Sequence, residues 1–81
     1  MSEALVRYFA AARATAGTNE EHVKANRQLG DILAELGHRH GPDFQQVAAR
    51  CSYLVDSHRF DAQDLVPAGA TVDVLPPFAG G

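Results

Sequence analysis

The chain has 81 residues, 46% of them hydrophobic and 21% charged, which makes one small globular domain and excludes a disordered chain. Its net charge of −3 comes with no basic stripe, which excludes non-specific binding of nucleic acid, and no apolar run is long enough to span a bilayer. A core of this size leaves little room for a deep active site, so a role through partners is favoured over a free-standing enzyme. Met1-Ser2-Glu3-Ala4-Leu5 lacks the basic and apolar regions of a signal peptide, and a single cysteine cannot form an internal disulfide. The expectation is a cytoplasmic protein.

Ala4 to Ala10 reads as a first strand, with Ala4, Val6 and Tyr8 on one face and Leu5, Arg7 and Phe9 on the other. Arg7 marks the second face as the more exposed. An Ala-rich stretch follows, and Ala16-Gly17-Thr18-Asn19 signals a turn. Glu20 to Ala25 is expected to pair back as a mostly polar edge strand. Asn26 is placed to cap a helix, in which Leu29, Ile32, Leu33 and Leu36 recur at helical spacing as one apolar stripe. Gly37 or Gly41 can end it.

Pro42 to Cys51 suggests a second, shorter helix with Phe44, Val47, Ala48 and Cys51 on one face. Ser52 to Phe60 reads as two short strands around a turn near Asp56-Ser57. Pro67-Ala68-Gly69-Ala70 is a turn, and Thr71 to Leu75 is a final strand in which Val72 and Val74 alternate with Asp73. This order predicts an α+β domain over residues 1–81, a sheet packed on one main helix with a short second helix. By the same alternation Phe9 and Leu75 fall on outer faces. They are expected to form one apolar patch, the alternative being two ordinary core positions.

The sequence closes on Pro76-Pro77-Phe78-Ala79-Gly80-Gly81. Each proline stiffens the backbone, and two glycines without side chains make a slim tip. Extended, these residues reach roughly 20 Å, enough to carry a terminal carboxylate into a narrow channel of another protein. The tail from Pro76 onward is expected to be exposed and flexible.

Tyr8-Phe9-Ala10-Ala11-Ala12-Arg13, Gly17, Ala68-Gly69-Ala70-Thr71-Val72 and above all Leu75-Pro76-Pro77-Phe78-Ala79-Gly80-Gly81 resemble the ubiquitin-like MoaD/ThiS sulfur carriers. Within that β-grasp family the likeness is nearest to the small subunit of molybdopterin synthase, whose tail has the Pro-Pro-x-x-Gly-Gly pattern. Val55-Asp56-Ser57 departs from it, since the family often has Val-Asn there. The resemblance implies that an E1-like adenylyltransferase uses ATP to adenylate Gly81, and that sulfur then displaces AMP to leave a thiocarboxylate. The large synthase subunit would use that sulfur to build the dithiolene of molybdopterin.

Under the resemblance Gly81 is the acceptor and Gly80 gives clearance beside it, while Phe9, Leu75, Pro76, Pro77 and Phe78 serve partner binding. Arg13 either contacts a partner or the sheet edge, or is a solvated loop arginine. No cofactor is expected to be bound, because ATP belongs to the activating enzyme. Sulfur carriers with the same ending also serve thiamine, cysteine and siderophore pathways, and ubiquitin-like modifiers use the same carboxylate, so these readings stay open.

The remaining reactive residues point to structure. His38 and His40 sit at a predicted helix end, where cations suit the helix dipole, and no third ligand is near to suggest a metal. His22 and His58 are expected to be exposed. Cys51 falls on an apolar helical face, which suits an inert buried thiol.

Overall fold

A computed structural model of the chain describes residues 2–77. Alternation of small apolar and polar residues builds β1 (Glu3–Tyr8), which buries Ala4, Val6 and Tyr8 and exposes Glu3 and Arg7. The strand is shorter than its sequence suggests. Ala10 turns the chain with φ +50°, and the Ala-rich stretch winds into α1 (Ala10–Ala16), closed by Gly17 at φ +77°. Alanine is the best helix former, and α1 needs only Ala12 buried to sit on the core.

The polar edge strand β2 (Glu20–Lys24) pairs antiparallel with β1 and buries Val23. Beyond it lies a correction. Asn26 does not cap the main helix; it takes φ +61°, a left-handed turn that asparagine tolerates, and donates its N–H to the Val66 carbonyl. The turn feeds β3 (Arg27–Gln28), which forms a small separate sheet with β6 (Leu65–Val66).

Gln28 stands at the cap position of α2 (Leu29–His40) without a side-chain hydrogen bond. Carbonyls of the 61–64 loop take over that task. Leu29 N–H donates to Asp64 at 2.9 Å and Gly30 N–H to Ala62 at 2.8 Å. The approach is close at residue 30, where a β-carbon would lie 3.2 Å from the Ala62 oxygen and the 61–64 loop would have to give by a few tenths of an ångström.

Leu29, Ile32 and Leu36 form the buried stripe of α2, with Leu33 partly buried beside them. Burying each of these side chains fully is worth about 1.5 to 3 kcal/mol. Gly41, at φ +93°, ends α2, while Gly37 lies inside it against Gln45. α3 (Pro42–Ala48) starts at once and sends Phe44 into the core.

β4 (Ser52–Val55) and β5 (His58–Arg59) form a hairpin through Asp56 and Ser57, both at positive φ as a tight hairpin turn requires. Asp56 ties this turn to the last strand: its carboxylate accepts the Thr71 N–H at 3.0 Å. That is the service residue 56 provides where the resembling family often has asparagine.

β7 (Thr71–Leu75) runs parallel to β1 and antiparallel to β4, giving a mixed five-stranded sheet in the order β2-β1-β7-β4-β5. Val72 and Val74 on β7 face the helices with Val6, Tyr8, Tyr53 and Val55. The result is an α+β β-grasp, one sheet face covered by helices and the other open. No described helix is long and apolar enough to cross a membrane.

Candidate functional site: the open sheet face and the root of the tail

The tail leaves from the middle of the sheet. β7 is the central strand of the five and is paired on both sides, so the chain passes from Leu75 to Pro76 at the end of a strand held by two neighbours. Pro76 is half-buried rather than exposed, and Pro77 is exposed. With Ala10, Ala11, Val47 and Arg50 these prolines line a cleft of 260 Å³ at the tail root. Phe78, Gly80 and Gly81 lie outside the described residues.

Leu75 sits level with Ser52 of β4, on the open face and half-buried, as the alternation along β7 requires. Phe9 is not part of β1. It occupies the N-cap position of α1 in extended conformation and remains 37% exposed. The parallel register that sets Tyr8 beside Val74 brings Phe9 and Leu75 to the same end of their two segments. Neither belongs to the buried core. Arg13 is exposed on α1, rather than in a loop or at the sheet edge.

Sequence alternation put Arg7 and Asp73 on outer faces, but their pairing depends on the β1–β7 register. Across that register Arg7 Nε donates to Asp73 Oδ1 at 2.7 Å and Nη2 donates to Oδ2 at 3.0 Å. This hydrogen bond and the neighbouring negative charge raise the guanidinium pKa above its usual value. The Arg7 Cζ lies 5.9 Å from the centroid of the Phe9 ring. A bidentate pair backed by an aromatic ring therefore sits among Leu5, Leu54 and Leu75, all half-buried on the open face.

On the covered side a second polar group closes the core edge. Glu21 accepts hydrogen bonds from the Tyr8 hydroxyl and Arg39, and His40 Nε2 lies 2.5 Å from the same carboxylate. His40, at the helix end, turns inward onto Tyr8 and Phe44 instead of serving the dipole from solvent. His22 and His58 are exposed. Cys51 is half-buried, its thiol donates to the Val47 carbonyl, and burial pushes its pKa up. Such a thiol is a poor nucleophile.

The described residues thus offer a tethered tail root beside an open sheet face that mixes half-buried leucines with the Arg7–Asp73 pair. A mixed sheet of this order, packed on one principal helix, is the fold of the ubiquitin-like sulfur carriers. The chain belongs to the ThiS family, whose model matches residues 6–81.

Among solved structures it is similar to a Pyrococcus furiosus protein described as molybdopterin converting factor, subunit 1. The identity is 24%, with a TM-score of 0.83 over 95% of this chain and 99% of that one. Small archaeal modifier protein 1 of Methanosarcina acetivorans is 22% identical, with a TM-score of 0.81 over 100% of this chain and 98% of its own. The complex of subunits 1 and 2 of molybdopterin-converting factor from Helicobacter pylori contains a chain 22% identical. That likeness has a TM-score of 0.71 and covers 98% of this chain and 99% of the other. At these identities the likeness is one of fold. No curated protein matches the chain.

Proposed function

We propose that this chain is a sulfur carrier and the small, non-catalytic subunit of molybdopterin synthase. A carboxylate is a poor electrophile, and a C-terminal one is ionised at neutral pH, its ordinary pKa being about 3.3 to 3.7. An E1-like partner with ATP would make it an acyl-adenylate on Gly81, and sulfur would displace AMP to give a thiocarboxylate. Gly80 keeps the tail slim beside the reacting carbon. The large synthase subunit would then receive the tail and use its sulfur to build a dithiolene.

The observation that carries this reading is the placement of the Pro76-Pro77 root directly after the central strand. A working tail must be held firmly at one end and reach outward at the other, and β7 supplies the firm end. Phe9, Leu75, Pro76, Pro77, Phe78 and Arg13 would form the gripping surface for both partners. The resemblance of Leu75-Pro76-Pro77-Phe78-Ala79-Gly80-Gly81 to the synthase subunit's ending supports the molybdopterin pathway over the others.

A second reading, a modifier joined to lysines of other proteins, is favoured by the likeness to the archaeal modifier structure. Mass spectrometry of the chain recovered from its own cells separates the two. Thiocarboxylate on Gly81 and co-purification with a large synthase subunit are expected. An isopeptide remnant on target lysines, without thiocarboxylate, would replace the carrier reading with the modifier. Thiocarboxylate with a partner from another biosynthetic route would move the pathway and leave the carrier role.

A further inference from the structure

The strand registers set one row of residues across the middle of the open sheet face: Glu20, Arg7, Asp73, Leu54 and Arg59. Asp73 occupies the side edge of the Arg7 guanidinium, taking Nε and Nη2 at 2.7 and 3.0 Å. The other edge, formed by Nη1 and the remaining N–H of Nη2, has no hydrogen-bond acceptor among the described residues. Glu20 stands level with Arg7 on β2 and makes no hydrogen bond to it. The Arg7 side chain is 46% exposed and that of Asp73 only 18%, so Arg7 offers its free edge outward from a half-buried anchor.

Position turns this into a requirement on whatever docks. Phe9, beside the tail root, is within cation–π distance of Arg7. A partner surface that covers Phe9 and Leu75 to reach the tail therefore also covers Arg7. Covering it with apolar groups alone would strip water from the free N–H groups and leave them unpaired, which is costly for a charged donor. Asp73 cannot relieve this, because it lies along the Nε side of the guanidinium, away from the free edge.

We propose that Arg7, fixed by Asp73 and backed by Phe9, determines partner specificity: a cognate partner presents an oxygen acceptor to its free edge within an otherwise apolar surface. This rests on the docking face of the proposed function and adds the chemistry the partner must bring. Surfaces of similar shape without that acceptor are rejected by the unpaired donors.

The test is calorimetric titration of the full chain with the large synthase subunit and, separately, with the E1-like enzyme. Replacing the pair together, Arg7→Leu with Asp73→Leu, removes both charges and orphans neither. Affinity for a cognate partner should fall by about tenfold to a hundredfold, while the melting temperature holds or rises.

The exchanged pair, Arg7→Asp with Asp73→Arg, keeps an ion pair and the composition of the face but moves the free edge onto β7. It should also lose affinity, which a purely structural salt bridge would not. If the wild-type effect shrinks with added salt, the acceptor is a carboxylate; if it does not, the acceptor is a backbone carbonyl. Unchanged or tighter binding by either double variant overturns the proposal and leaves the carrier reading standing. A wild-type chain that binds neither partner overturns that reading and this proposal with it.

Discussion

Glu21 is the residue on which the core edge turns. Burial alone would raise its pKa, but hydrogen bonds from Tyr8, His40 and Arg39 outweigh this and hold the carboxyl below its ordinary value. Its side chain is only 18% exposed, so solvent screens these contacts less than at a free surface. A folded-state pKa below the unfolded one contributes stability above the ordinary carboxylate range. That stability is lost as pH falls through the folded value.

Glu21→Gln should therefore destabilise the domain by about 1 to 3 kcal/mol at neutral pH, the scale of hydrogen bonds to a charged group. The gap between variant and wild type should close as pH falls below the ordinary carboxylate range. Urea unfolding of both chains across that range checks this, and a gap independent of pH would contradict it.

Among the elements, the joint between α2 and α3 depends most on one residue type. Gly41 holds φ +93° and ψ −173°, a region nearly closed to any residue with a β-carbon. Nothing crowds the position, so the cost of Gly41→Ala is backbone strain alone. It should be about 1 to 3 kcal/mol, lowering the melting temperature by roughly 4 to 8 °C per kcal/mol for a domain of this size. Calorimetric melting tests it, and an unchanged midpoint would contradict the assignment. Partner binding by the folded variant should be normal, because the joint lies on the covered side of the sheet.

The same elements show what a sequence reveals. The Leu29–Leu36 stripe and the Val72–Val74 alternation are periodic, and periodicity survives folding. The two-residue strands β3 and β6 are too short to have a period. In α1 an almost uniform run of alanine hides which side is buried. Asn26 looked like a helix cap because the loop carbonyls that replace it come from residues 62 and 64, far along the chain.

At the scale of the molecule, one face of the sheet holds the helices and the core, and the other is open. That division was legible, since Ala4, Val6 and Tyr8 alternate with Leu5 and Arg7 in the sequence itself. The tail motif was legible too, because it is contiguous. The Arg7–Asp73 pair was not, as it depends on a parallel register between segments 66 residues apart. The cleft at the tail root, with Arg50 on its wall, likewise joins three separate stretches of chain.

The proposed carrier role rests on Gly81, and its most direct measurement is the mass of that residue after sulfur loading. Incubated with an E1-like enzyme, ATP and a sulfur donor, the intact chain should gain the mass of one oxygen replaced by sulfur, located on Gly81. A chain lacking Gly81 still ends in a free glycine carboxylate, yet it falls short of a fixed adenylation centre by about 3.3 to 3.6 Å. A misplacement of about 1 Å can already cost roughly a hundredfold in rate. The deletion variant should therefore remain unloaded while folding normally. Sulfur on the shortened chain at the wild-type rate, or none on Gly81 of the intact chain, would contradict the carrier mechanism.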